Sequence, residues 1–138
     1  VRIAEQGERV EPGQVLFAPD DRHLTLVQDG AVKIRRRAAS DLHVPSVDVL
    51  FSSVAEVYGS RAVGIILSGM GSDGCTGLLK MREKGAVTIA QNEESSIVFG
   101  MPMVALQEGA AIRAMAPTAM ADLLLRFRSG AGVTENID

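Results

Sequence analysis

Ala62-Val63-Gly64-Ile65-Ile66-Leu67-Ser68-Gly69-Met70-Gly71-Ser72-Asp73-Gly74 is the stretch from which the fold is read. Its first half is uncharged and branched, the pattern of a strand buried on both faces of a parallel sheet. Three glycines follow within six residues, Gly69, Gly71 and Gly74, and give a loop that can turn sharply and approach other groups closely. Helical character resumes from Gly77 to Lys84. In open α/β sheets, ligands and chemistry gather at the carboxyl ends of the strands, where this loop belongs. Asp73 therefore needs a reason. The structural one is that it caps the following helix, because Asp suits the N-cap and the positive helix end.

Downstream, the helix ends at Gly85 and Ala86-Val87-Thr88-Ile89-Ala90 reads as a second buried strand. A helix between two strands makes a βαβ unit, so parallel pairing is expected. That places Gln91-Asn92-Glu93-Glu94-Ser95-Ser96 at the same sheet edge as Asp73. Ile97 to Glu108 reads as helical with a break at Gly100-Met101-Pro102, ended by Gly109. Ala111 to Met115 is a short strand candidate, Thr118 to Arg128 an amphipathic helix, and residues 129–138 a flexible tail.

Upstream, residues 45–59 carry the clearest helical pattern. Val47, Leu50, Phe51, Val54, Val57 and Tyr58 form one apolar stripe, with Pro45 in the first turn and Gly59 as the stop. Residues 1–37 are β-rich: Gln14 to Ala18, Leu24 to Val27 and Ala31 to Ile34, separated by turns at Pro19-Asp20-Asp21 and Gln28-Asp29-Gly30. Asp-Gly favours a hairpin, so antiparallel pairing is expected there. Residues 38–44 form a polar connection. The expected fold is α/β and doubly wound, a mostly parallel sheet with an antiparallel β-rich N-terminal part, over residues 1–128.

The 138 residues suit one domain, and 46% hydrophobic with 22% charged is an ordinary globular balance. A net charge of -3 argues against a nucleic-acid surface. Lys33-Ile34-Arg35-Arg36-Arg37 reads as the polar face of a strand and a solvated turn. The single Cys75 excludes an internal disulfide and fits a reducing cytoplasmic setting. His23 and His43 make no zinc spacing, and no apolar run is long enough to insert in a membrane.

Pattern alone offers a dinucleotide site. Gly69, Gly71 and Gly74 match G-x-G-x-x-G between a strand and a helix, and Glu93 lies about 20 residues on. Asp73 opposes this, since its carboxylate would repel a pyrophosphate at the helix N-terminus. The fingerprint also usually opens its domain, whereas about half of this chain precedes it.

A longer set of residues carries a resemblance. In order, it comprises Gly7-Glu8 with Pro12-Gly13, Ala18-Pro19 with His23, and Pro45-Ser46-Val47-Asp48-Val49-Leu50-Phe51. Val63 to Leu67, Gly69-Met70-Gly71 with Asp73-Gly74, Gly85 and Ala90-Gln91-Asn92-Glu93 follow, then Ser95 and Val98-Phe99-Gly100-Met101-Pro102. Over about residues 3–127 the chain resembles the C-terminal half of the catalytic domain of the chemotaxis protein-glutamate methylesterases, the CheB-type enzymes. The resemblance implies hydrolysis of glutamate methyl esters on the cytoplasmic region of chemoreceptors, with glutamine deamidation in many members. It implies a Ser-His-Asp triad in which Asp73 is the acid, with Met70, flanked by Gly69 and Gly71, in the active site, where a backbone N–H could serve the oxyanion. From the residues alone, Met70 reads rather as core packing at a strand end. His43, Asn92 and Glu93 are candidates for the cleft border. No cofactor is implied.

The family's nucleophile and triad histidine belong to the first half of its domain, which is outside this sequence. No G-x-S-x-G elbow occurs here. Ser68, Ser72, His23 and His43 do not match the two missing members, so the chain on its own is expected to be inactive and incomplete relative to the family domain. Its expected partners are the receptor and the missing half or another chain. The alternative is a non-catalytic remnant that binds a receptor or partner.

Overall fold

Strands β5 (Val63–Ile66), β6 (Val87–Gln91) and β7 (Arg113–Met115) lie side by side in that order, all parallel. The structure, a computed structural model, describes residues 1–128. The tail expected over 129–138 falls outside the described residues.

Both faces of β5 and β6 are covered, which is why these two strands are largely apolar without alternation. On one face Val87 and Ile89, with Val63, Ile65 and Met115, pack against Met120 and Leu123 of α4 (Pro117–Arg128). On the other, Ile66 and Ala90 meet Ala55 and Phe51 of α1 (Val47–Tyr58) and Leu78 and Met81 of α2 (Cys75–Glu83). Ala105 of α3 (Met101–Gln107) completes that layer. The doubly wound α/β reading holds, and all five residues of β6 are buried. Among the described residues, no strand pairs with the outer edge of β5.

In the N-terminal part, β3 (Arg22–Val27) and β4 (Ala31–Arg36) form the expected antiparallel pair, joined through a turn at Gln28–Gly30. Leu24 and Val32 pack with Leu50 of α1. The antiparallel expectation fails for the remaining strands. β2 (Leu16–Phe17) pairs instead with β1 (Arg2–Ile3), in parallel. Residues 4–15 supply a connection of the length that parallel pairing needs, and Arg2 N–H and Ala4 N–H donate to the carbonyls of Val15 and Phe17.

The helix expected from Ile97 also starts later, at Met101. Val98 is held by the loop after β5 instead: its carbonyl accepts from Gly69 N–H at 3.0 Å, and its N–H donates to Ser68 Oγ at 2.9 Å. Those bonds, with the parallel bridge of Phe99 to Gly69, commit 97–99 to a non-helical path that helical periodicity does not reveal.

Candidate functional site

The loops after β5 and β6 meet at the carboxyl edge of the sheet, as parallel pairing requires. Gln91, at the end of β6, joins them. Its Oε1 accepts from Ser68 N–H at 2.8 Å, and its Nε2 donates to the Ser95 carbonyl at 2.9 Å. Gly74 then opens α2 at φ 100°, a left-handed conformation that suits glycine, and supplies no side-chain cap.

Asp73 does not cap α2. Its carboxylate reaches back to the start of α1, where Oδ2 accepts from Val47 N–H at 2.8 Å. Its Oδ1 accepts from Asp48 N–H at 3.0 Å and from Ser46 Oγ at 2.9 Å. The N-terminus of α2 is capped from α1 instead, by Asp48. Asp48 Oδ1 accepts from Gly74 N–H at 3.0 Å and from Gly77 N–H at 2.7 Å. Gly77 permits this closeness, because a Cβ there would stand 2.9 Å from the Asp48 carbonyl oxygen.

Burial acts to raise the Asp73 carboxyl. The amides of Val47 and Asp48 outweigh it together with the Ser46 hydroxyl and the charge of His43, and hold the group below the usual carboxylate range. Asp73 is thus a partly buried, ionised carboxylate held rigidly by three donors. A carboxylate offers about four lone-pair sites, so about one remains for a further donor.

The sequence candidates are distributed unevenly about it. Gly69, Met70 and Gly71 share its loop. Met70 is 84% exposed, and its N–H makes no hydrogen bond to a described residue. His43 is exposed in the connection before α1. Glu93 is exposed on the loop after β6. Asn92 serves the turn: its Oδ1 accepts from Ser95 N–H at 3.2 Å. Ser72 is exposed, and its carbonyl accepts from Cys75 N–H.

Ser46 and Asp48 take site roles that the sequence reading missed. Ser46 had a signal, a Ser immediately before an apolar helix. The Asp48 cap had none, since the amides that donate to it lie at the start of another helix. Among the described residues, no three His, Cys, Asp or Glu side chains gather as a metal site.

With this geometry in place, the chain can be set beside known proteins. The model of the family described as CheB methylesterase matches residues 1–124. The chain belongs to the CheB methylesterase family. It is 49% identical over 137 residues to a protein-glutamate methylesterase/protein-glutamine glutaminase of Photorhabdus laumondii, an alignment covering 96% of this chain and 39% of that one. An Escherichia coli protein of the same description is 54% identical over 112 residues, covering 79% of this chain and 32% of the relative. The chain thus spans well under half the length of these relatives. The crystal structure of the Thermotoga maritima CheB methylesterase catalytic domain superposes with a TM-score of 0.84 at 36% identity. That superposition covers 91% of this chain and 68% of the solved one, so the CheB-type fold seen here is partial.

Proposed function

We propose that residues 1–128 are the C-terminal part of a CheB methylesterase catalytic domain and supply Asp73 as the acidic member of a Ser-His-Asp triad. The enzyme so completed hydrolyses glutamate methyl esters, and deamidates glutamines, on the cytoplasmic region of chemoreceptors. It works in the cytoplasm; among the described residues no helix is long and apolar enough to cross a membrane. The observation that carries this reading is the Asp73 carboxylate, ionised, fixed by three donors and left with about one free acceptor position.

In the reaction, a serine Oγ attacks the ester carbonyl while an imidazole takes its proton. The tetrahedral intermediate collapses with loss of methanol. Water then cleaves the acyl-enzyme to the free glutamate. Both serine and imidazole come from outside this chain. Asp73 holds the imidazole in one tautomer and stabilises the imidazolium without taking its proton. The free Met70 N–H, on a turn flanked by Gly69 and Gly71, is suited to the oxyanion. His43 and Glu93 border the receptor cleft, and Asn92 shapes its wall.

The dinucleotide alternative is disfavoured on new ground. The N-terminus of α2 is already filled by the Asp48 carboxylate, which takes the Gly74 and Gly77 amides that a phosphate would need. Calorimetry with dinucleotides is expected to show no saturable heat.

The direct test joins this chain to the N-terminal portion of the Photorhabdus laumondii relative and measures initial rates of methanol release from a methylated receptor peptide. The chain alone should stay at the buffer rate, and the joined enzyme should turn over. Substantial turnover by the chain alone, abolished by Ser72→Ala or His43→Ala, would reassign the nucleophile and base to this chain.

A further inference from the structure

One polar group in the fold is not used by the triad as described. His23, on β3, has a fully buried side chain. A buried imidazole is costly unless both nitrogens are satisfied, and both are. Nε2 lies 2.9 Å from Asp41 Oδ2, and Nδ1 accepts from the Ser46 backbone N–H at 3.2 Å. An acceptor Nδ1 places the ring proton on Nε2, which donates to Asp41. Asp41 is itself anchored, since Oδ2 accepts from Ala38 N–H at 2.7 Å.

We propose that His23 is a positioning residue for Asp73, acting through Ser46. The path is continuous: Asp41 fixes the ring, the ring fixes the Ser46 amide, and the Ser46 hydroxyl donates to Asp73 Oδ1 at 2.9 Å. Ser46 Oγ also accepts from Val49 N–H at 3.3 Å, so its orientation sets both the helix start and the carboxylate. Residue 46 is extended, with φ -111° and ψ 132°, and as the N-cap of α1 its amide has no intrahelical acceptor. His23 supplies the missing restraint. The competing role is purely structural, with His23 only tying the 38–44 connection to β3 through Asp41.

The catalytic part of this inference rests on the methylesterase reading; its geometric part does not. Two variants separate the roles. His23→Asn keeps an acceptor where Nδ1 stands but cannot reach Asp41. His23→Gln can donate where Nε2 stands but offers nothing to Ser46. In the joined enzyme, Asn should keep kcat near wild type, whereas Gln should lower it about tenfold with KM little changed. Equal kcat in the two would overturn the proposal. If the joined wild type is inactive, the methylesterase reading fails separately, and carbon NMR of the Asp73 carboxyl decides this one. Its titration midpoint should rise in Gln and not in Asn; equal midpoints would count against it. Should neither variant fold, the wild-type chain still answers. A through-hydrogen-bond nitrogen–nitrogen coupling between the Ser46 amide and His23 Nδ1 is expected, and a protonated Nδ1 would sink the idea.

Discussion

Asp48 and Asp73 exchange caps. Asp73, at the mouth of α2, accepts from the first amides of α1; Asp48, in the first turn of α1, accepts from Gly74 and Gly77 at the start of α2. Each carboxylate meets the positive end of the other helix. The exchange locks the two helix starts in register and leaves the carboxylate proposed as the triad acid no freedom to swing.

Removing Asp73 should therefore cost stability as well as turnover. Asp73→Ala strips three hydrogen bonds to a charged acceptor and is expected to lower stability by about 2–3 kcal/mol in urea melts. In the joined enzyme kcat should fall about 10³–10⁴-fold. Asp73→Asn is expected to be intermediate in stability, because its amide can turn an acceptor to only one side and would set its NH₂ against an amide donor. Unchanged stability in Asp73→Ala would mean the caps are not formed in solution.

The two caps should be coupled. In a double-mutant cycle of Asp48→Ala and Asp73→Ala, the paired loss is expected to depart from the sum of the single losses by about 1 kcal/mol. The departure should be toward a smaller total, since either change loosens the same contact. Strict additivity would show two independent helix starts.

Acid should act through the same site. The folded-state pKa of Asp73 lies below its unfolded value, so its contribution is complete above the ordinary carboxylate range and is lost as pH falls through the folded value. Asp41 behaves alike, held low first by the Ala38 amide and then by His23. Stability measured from neutral pH downward should drop on the acid side, and Asp73→Ala should flatten that limb. An identical acid limb in wild type and Asp73→Ala would refute the assignment.

Gly77→Ala tests the helix contact. Its Cβ would lie 2.9 Å from the Asp48 carbonyl oxygen and 3.0 Å from Asp48 Cα, both backbone atoms that cannot turn aside. Despite the better helix propensity of Ala, a loss of about 1–3 kcal/mol is expected. A stabilised variant would show that α1 and α2 stand further apart.

By itself, the sequence determined the elements whose pattern is local. Val63–Ile66 and Val87–Ala90 were legible because a doubly covered strand is largely apolar, and α1 because its apolar stripe repeats at helical spacing. Gln91, read as loop, proved to close β6. The Gly-rich loop with Asp73 was legible as a loop at the carboxyl edge of the sheet, because strand, loop and helix follow one another in the chain. Tertiary structure decided what Asp73 holds and what holds it. Residues 46–48 lie some 25 positions away in sequence, yet they supply all three donors to that carboxylate. It likewise decided the parallel β1–β2 pairing, fixed by backbone hydrogen bonds that carry no side-chain signature, and the non-helical path of 97–99, held by Gly69 and Ser68 some 30 positions earlier. His23 shows the limit most sharply. Nothing near it in the chain indicates whether it is solvated or buried, and only packing β3 against the start of α1 brings Asp41 and Ser46 to its two nitrogens.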